Sequence, residues 1–495
     1  MLTRLKVSGF KNLIDVDVSF GPFTCIAGAN GVGKSNLLDA IVFLSALADG
    51  TLIDAALKVR DQGAKTGDIR GLFHHTGDHF GRDMRFEAEM IIPKSGTDDL
   101  GQPAKASSTF VRYSVGLRYK EGETARSLGS LELVSEELSH ITLRDAPRHL
   151  GFNASLAWRE AAIINDRRTP NYISTKELGS DRVIQVHQDG GSSGKPQQLK
   201  AANLPRTVLS AANSAESPTA TLVKRELQAW RLLQLEPSSL GEPSSFMAPS
   251  VLASDGANLP ATLYHLANAS TPEDAAAIYS EVANRIGQLI QDIRTVTVDR
   301  DERRQLLTVY VTGRDGTAHA ARSLSDGTLR FLALSVLSLD PSPQGVVCME
   351  EPENGIHPER IPAMIALLID LAADVNGKSY DEGESPLRQV IINTHSPSVV
   401  LQVPQESLLM AESVEQTASG GIARGLQLRC MSGTWREKSG RAKAVALGKL
   451  LAYLNPVART EGENGHRSSP NASPERLIDR LDVQQFKIPF GELAR

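Results

Sequence analysis

Apolar residues recur with partial alternation over Leu2–Ser8 and Leu13–Phe20, predicting two strands joined by Gly9-Phe10-Lys11-Asn12. A short apolar run, Phe23–Ala27, stops at glycine and opens into helical spacing from Lys34 to Leu47. From Met84 to Leu143 the period becomes two, with strands expected at Met84–Ile92, Phe110–Lys120, Leu131–Val134 and His140–Arg144. The stretch Gly151–Pro205 is polar, and Gln188–Gln198, with its Gly190-Gly-Ser-Ser-Gly, reads as a loop or disordered insert. Helices are expected near Leu222–Leu233 and from Leu259 to Ile293, separated by the Pro- and Ser-rich Pro237–Pro249. Strands at Thr295–Asp299 and Gln305–Val311, a turn at Arg314-Asp-Gly and a helix from Thr328 to Leu339 follow. An apolar strand Gly345–Met349, a helix Pro358–Ala373 and a strand Gln389–Asn393 complete an α/β second half. Beyond Gly420 the pattern weakens, and Arg459–Pro474 reads as a linker. No repeat of 20–50 residues and no sustained heptad is present.

Composition narrows the class. Among 495 residues, 41% are apolar and 22% charged, which excludes a disordered or collagen-like chain. The net charge of −5 is too small to drive membrane or nucleic-acid binding in bulk, so any such surface is a local patch. Three cysteines without a CxxC pair argue against a disulfide scaffold, a zinc ribbon or a zinc hook, and fit a reducing compartment. The longest apolar runs, Ile41–Ala48 and Phe331–Leu339, reach about half of the ~20 residues a membrane helix needs. No membrane association and a cytoplasmic location are expected.

Chemistry concentrates at strand ends. Gly28-Ala-Asn-Gly-Val-Gly33-Lys34-Ser35 satisfies G-x-x-x-x-G-K-[ST] between a strand and a helix. Its backbone N–H groups suit phosphate oxygens, Lys34 the β- and γ-phosphates, and the Ser35 hydroxyl Mg²⁺. Gly345-Val-Val-Cys-Met-Glu350-Glu351-Pro352 delivers two carboxylates at the end of a buried strand. Successive strand side chains point opposite ways, so one can serve Mg²⁺ and the other the attacking water. Taken alone, it also reads as a strand ending in a solvated acidic turn. Leu324-Ser325-Asp326-Gly327-Thr328 opens an apolar helix; by itself it reads as an ordinary N-cap, and beside a P-loop as a second anion-binding surface. Ile391-Ile-Asn-Thr394-His395 ends another strand with a histidine, a structural hydrogen-bonder or a γ-phosphate contact.

This order of motifs resembles the ABC-type ATPase heads of the RecF and structural-maintenance-of-chromosomes (SMC) group, particularly bacterial RecF-like ATPases with an inserted middle region. Phe10-Lys11-Asn12 with Gly28–Asn36 is similar to the first strands and Walker A of such heads. Leu324–Thr328 is similar to the signature, with Asp326 in place of a glycine; Val346–Glu351 to Walker B, with Glu350 in place of the usual Asp; Glu353–Pro358 to the D-loop; and His395 to the H-switch. No glutamine is assigned to a Q-loop. The resemblance implies a P-loop ABC-type head, a mixed sheet with helices, from residues 1–95 and 295–420. An inserted α+β and helical region (96–294) and a C-terminal extension with linker (421–495) complete the expected organisation. It implies ATP and Mg²⁺ as ligands, with Asn30, Gly31, Gly33, Lys34, Ser35 and Asn36 binding nucleotide and Ser35 and Glu350 the metal. Glu351, with Glu350 and His395, would carry hydrolysis, Glu351 positioning the water. Two heads would sandwich ATP, with Ser325 and the Gly327 N–H reaching the partner's γ-phosphate.

Two other constellations are read as structural. His74, His75, Asp78 and His79 have metal-like spacing only if helical, and Gly71, Gly77 and Gly81 favour a loop. Arg294, Arg300, Arg303, Arg304 and Arg314 are nearly neutralised by Asp292, Asp299, Asp301, Glu302 and Asp315, a solvated charged surface rather than a phosphate-binding stripe. The expected function is an ATP-driven DNA clamp or sensor in repair or anti-phage defence, with a separate nuclease or toxin effector. After His395 only Asp479 and Asp482 supply aspartates, which argues against a fused acidic-cluster nuclease. A regulatory scaffold controlling a partner without binding DNA is the alternative. A transporter ATPase is disfavoured by the long gap between Gly33 and Leu324.

Overall fold

The computed structural model describes residues 1–59, 69–77, 79–121, 129–165, 171–179, 181–189, 196–269, 272–288, 290, 292–340, 345–377, 387–418 and 421–454. Asp78, Gly190–Gly194, the expected linker Arg459–Pro474 and the aspartates 479 and 482 lie outside the described residues. The chain begins with β1 (Leu2–Phe10), β2 (Leu13–Ser19), β3 (Phe23–Ala27) and helix α1 (Lys34–Leu47). Six strands follow: β4 (Asp83–Ile91), β5 (Phe110–Lys120), β6 (Ser130–His140), β7 (Ile173–Leu178), β8 (Asp181–Val186) and β9 (Gln197–Lys200). The second half contributes α2 (Pro218–Gln228), β10 (Arg231–Leu233), α3 (Asp326–Leu339), β11 (Val346–Glu350) and α4 (Ile361–Leu371). It ends with β12 (Gln389–Thr394), β13 (Leu408–Ala418) and β14 (Gly421–Cys430).

Two large sheets result. The first is antiparallel, in the order β9-β8-β7-β6-β5-β4-β1-β2. The second runs β10-β11-β12-β3-β13-β14, parallel through β13 and antiparallel at β14, and the two-residue strand Lys443–Ala444 pairs in parallel beyond β14. Parallel strands buried on both faces favour apolar residues on both sides, which is why Val346–Met349 reads as an unbroken run and Phe23–Ala27 as one interrupted by Thr24 alone. Alternate residues serve different cores. Ile26, Val346, Cys348 and Ile391 join α1 and the antiparallel sheet through Leu37, Ile41, Leu44, Leu5, Val7 and Phe86. Cys25, Ala27, Val347, Met349, Val390 and Ile392 face the other way, onto Leu329, Phe331 and Leu332 of α3 and Met364, Ile365 and Leu368 of α4.

Several expectations are corrected. The strand expected at Leu131–Val134 is longer, β6 running on to His140, and the strand expected at His140–Arg144 does not form beyond that residue; the β6 register shifts between Leu133 and Ser135, and that bulge interrupts the two-residue alternation. The chain then turns, with Thr142 Oγ1 donating to Asp145 at 2.7 Å. The helix expected at Leu222–Leu233 ends at Gln228, and Arg231–Leu233 instead pairs in parallel with Val347–Met349. Long-range pairing overrides local periodicity there. The helix expected from Leu259 to Ile293 is two, Leu259–Ala267 and Pro272–Gly287. The antiparallel sheet runs through the expected boundary at residue 95: β5 to β9 extend the sheet that β1, β2 and β4 begin. Likewise β14 continues the second sheet past residue 420.

Glu136 on β6 pins the segment that crosses this sheet. Its fully buried carboxylate accepts the N–H groups of Val208 (2.7 Å) and Leu209 (2.8 Å) and the Tyr113 hydroxyl (3.1 Å). Burial outweighs those donors and pushes its pKa up to about 7, from an ordinary carboxylate value near 4.5. An acid raised in the folded state favours folding while protonated, and that contribution fades as pH rises from about 4.5 through about 7. Glu136→Gln is therefore expected to flatten the dependence of melting temperature on pH between 5 and 8, whatever its effect on the absolute value. An unchanged slope would refute this assignment.

Candidate functional site

In an open parallel sheet, ligands gather beyond the carboxyl ends of the strands. Here β3 ends at Ala27, β11 at Glu350, β12 at Thr394 and β10 at Leu233, all on one edge. Beyond that edge lies a cavity of about 480 Å³, within the range of small-molecule sites. Asn30, Gly31, Gly33, Lys34, Ser35, Asn36, Glu350 and Glu351 line it, so two motifs more than 300 residues apart in sequence share one site. Gln234, Leu235, Glu236, Arg330, Asn354 and Asn393 complete the lining.

The phosphate-loop side is braced from β1–β2. Gly33 has φ 107° at the cap of α1, and an added Cβ would fall 2.2 Å from the Asn12 side chain. Only glycine satisfies both conditions. Asn12 donates to the Val32 carbonyl at 3.0 Å and accepts from Asn36 at 2.9 Å, while Lys11 pairs with Asp39 of α1 at 2.9 Å. The turn Phe10-Lys11-Asn12 thus clamps the loop to its helix. Lys34, 5% exposed, donates to the Gly28 and Ala29 carbonyls at 2.7 and 2.9 Å. Burial pulls its pKa below the usual lysine value, and Glu351, Glu353 and Glu350 oppose that shift.

The acidic side has a division of partners. Glu350 accepts from Gln234 Nε2 and Asn393 Nδ2, both at 3.4 Å. Glu351 follows the end of β11 with φ 43°, a left-handed conformation that costs a non-glycine residue about 1 kcal/mol or more. Its N–H donates to the Asn393 carbonyl (3.0 Å) and side-chain oxygen (3.1 Å), which hold the turn. Its carboxylate meets His395 Nδ1 at 2.6 Å and accepts from Asn354 at 3.0 Å. Beneath them Glu353, 7% exposed, accepts from the Thr394 hydroxyl; burial raises its pKa. The exposed Ser35 hydroxyl, Glu350 and the Gln234 amide offer oxygen donors of the hard type Mg²⁺ prefers, so these residues fit that ion.

Ser325, Gly327 and His395 are not in the cavity wall. His395 is joined to it through Glu351. Ser325 caps α3, accepting from Thr328 N at 3.4 Å, and is exposed; this is the N-cap arrangement its sequence suggests. Gly327 is closely packed, since a Cβ there would lie 3.0 Å from the Gly355 carbonyl oxygen. Gln234 and Arg330 escaped the sequence reading. Gln234 follows a three-residue strand hidden in an apparent helix, whereas Arg330 carried a signal: it is the one charged residue between Asp326 and Asp340.

His75–Thr76 and His79–Phe80 form a short antiparallel pair rather than a helix, and His74 Nδ1 engages the Lys11 carbonyl at 2.8 Å. Among the described residues no group of three or more His, Cys, Asp or Glu is placed to hold a metal. In the charged hairpin Ile293–Gly313, Arg300 pairs with Glu302 at 3.0 Å and stacks over Phe246. Among the described residues no helix is long and apolar enough to cross a membrane.

Comparison with known proteins accords with this geometry. Residues 23–183 and 197–401 match the family described as "AAA domain, putative AbiEii toxin, Type IV TA system". The DNA replication and repair protein RecF of Clavibacter sepedonicus is 24% identical over 229 residues, 44% of this chain and 55% of that protein. The match therefore spans little more than half the length of that relative. The OLD nuclease of Thermus scotoductus is 51% identical over 41 residues, 8% of each chain. Among solved structures, the Smc head bound to the C-winged helix domain of ScpA aligns over 87% of this chain and 98% of its own, at 12% identity and a TM-score of 0.40. With the family match covering most of the chain and the P-loop and paired glutamates meeting at one sheet edge, the chain belongs to this AAA-domain family.

Proposed function

We propose that the protein binds and hydrolyses ATP with Mg²⁺, and that ATP joins two heads head-to-tail, acting in DNA repair or anti-phage defence with a separate effector. The observation that carries this reading is the cavity uniting the P-loop with Glu350 and Glu351 while Ser325 stands exposed outside it. One copy supplies half of a composite site, and the exposed signature end of another copy supplies the rest. In each half, the loop N–H groups and Lys34 bind the phosphates. Ser35 and Glu350 would hold Mg²⁺, which when bound offsets charge on the phosphoryl oxygens. Glu351, fixed by His395, Asn354 and the Asn393 backbone, orients the attacking water and takes its proton. Closure is a population shift, since ATP bridging two copies favours the paired state.

Relatives named for DNA replication and repair support the DNA-linked role. The toxin in the family description supports a second reading, in which the ATPase is a scaffold that controls a toxin or nuclease partner without binding DNA. Mass in solution tests both on the Glu351→Gln variant, with and without ATP and Mg²⁺ and with a short DNA duplex in parallel. The expected result is a monomer without ATP and a pair with it, abolished by adding Ser325→Arg. A rise in pair yield with DNA supports the clamp. A mass independent of ATP overturns the switch, and a constant large oligomer favours the scaffold.

A further inference from the structure

Arg330 is the second cation in the wall of the nucleotide cavity, beside Glu350, Glu351 and Asn354. It is half-buried, and its Nε is shielded from solvent without a hydrogen-bond partner. Among the described residues no carboxylate forms an ion pair with it, although two glutamates line the same cavity. Keeping an unpaired cation partly desolvated is unfavourable for the fold alone. The residue also sits on an otherwise apolar helix, where Leu329, Phe331 and Leu332 on either side are buried in the core. Its placement makes sense if an anion enters the cavity at this end, the Walker B end, where the terminal phosphate of ATP would lie.

The helix adds a consequence. Ser325 and Arg330 are five residues apart, which places them about 140° apart around α3. One rigid element therefore presents an exposed hydroxyl outside the cavity at its first turn and a guanidinium inside the cavity one turn later. We infer that Arg330 is a terminal-phosphate-binding cation of its own subunit's cavity and, by riding on α3, ties the nucleotide held there to the signature end offered to the partner subunit. This rests on the reading above that the cavity binds ATP. Attraction between Arg330 and the terminal phosphate acts on ATP and not on ADP, so α3 is biased only when ATP is bound.

Fluorescent mant-ATP and mant-ADP, titrated with Mg²⁺ into the full chain carrying Glu351→Gln, read the effect without turnover. Arg330→Gln is expected to weaken mant-ATP at least tenfold and mant-ADP less than twofold, with Arg330→Lys recovering part of the ATP loss. Pair formation with ATP falls in step. The nucleotide-free melting temperature of Arg330→Gln should equal or exceed that of the parent, whereas a structural role would lower it. Equal loss for both nucleotides, unchanged ATP affinity, or a lowered melting temperature without a change in the ATP/ADP ratio overturns the inference. A parent that binds neither nucleotide overturns the functional reading as well. A parent that binds both but never pairs removes the pairing reading and the tie to the partner, leaving the ATP/ADP ratio to decide the phosphate contact.

Discussion

Glu351→Gln is expected to lower steady-state ATP turnover by about 10²–10⁴-fold, the usual contribution of a positioned general base, with nucleotide affinity nearly unchanged. The substitution keeps the length and the hydrogen-bonding reach of the side chain but removes the carboxylate proposed to accept the proton. It also leaves the backbone as it was, since the left-handed turn at residue 351 is held by the Glu351 N–H donating to the Asn393 carbonyl and side-chain oxygens rather than by the carboxylate. His395→Ala removes the 2.6 Å contact that aims Glu351, and its cost is expected to be about tenfold, roughly 1.4 kcal/mol of barrier. Glu350→Gln is expected to behave differently, raising the Mg²⁺ concentration needed for half-maximal turnover more than it lowers the maximum. Single-turnover hydrolysis beside equilibrium nucleotide binding separates these cases. Equal losses of maximal turnover from both glutamine variants, with the same Mg²⁺ requirement, would show that the two carboxylates do not divide the work.

The proposed division was partly legible in the sequence. Consecutive residues at a strand end point to opposite sides, and this alone predicts separate tasks. In the structure both glutamates nevertheless reach one cavity, because Glu351 has left the strand and the left-handed turn swings its side chain back. No sequence signal marks a glutamate in that conformation. The P-loop was readable because its chemistry is local: strand, glycines and helix follow one another within 25 residues. Gln234 was not, since it enters the site through a three-residue strand whose partner lies more than 100 residues away. Within the antiparallel sheet the period-two pattern located β4 and β5 closely and failed at β6, where a bulge resets the alternation. Local order could be read, whereas features created by long-range pairing required the fold.

Arg436 belongs to the second kind, and its replacement is expected to have the largest effect on stability of the substitutions considered. It is 2% exposed, stacks on Trp435 with its guanidinium 4.2 Å from the ring centroid, and donates to the Ser19 carbonyl (3.0 Å), the Thr24 hydroxyl (3.1 Å) and the Glu406 carbonyl. Ser19 ends β2 in the antiparallel sheet, Thr24 lies in β3 of the parallel one, and Glu406 precedes β13. One guanidinium therefore bolts the two sheets together where the chain passes from one to the other. Burial pulls its pKa down to about 9, so it remains charged at neutral pH and depends on those acceptors. Arg436→Met would leave buried carbonyls without donors and is expected to cost about 3–5 kcal/mol, the range for breaking a buried charged contact. Arg436→Lys should recover less than half, because one ammonium does not span three acceptors held in a plane. Urea unfolding reads both as a lowered midpoint at constant slope. Nucleotide affinity measured well below the transition should stay close to that of the parent, since Thr24 sits near the start of β3 and the phosphate loop leaves its opposite end. A parent-like midpoint for Arg436→Met would mean that water or a shifted neighbour replaces the guanidinium, and that the junction between the sheets is held by the apolar core instead.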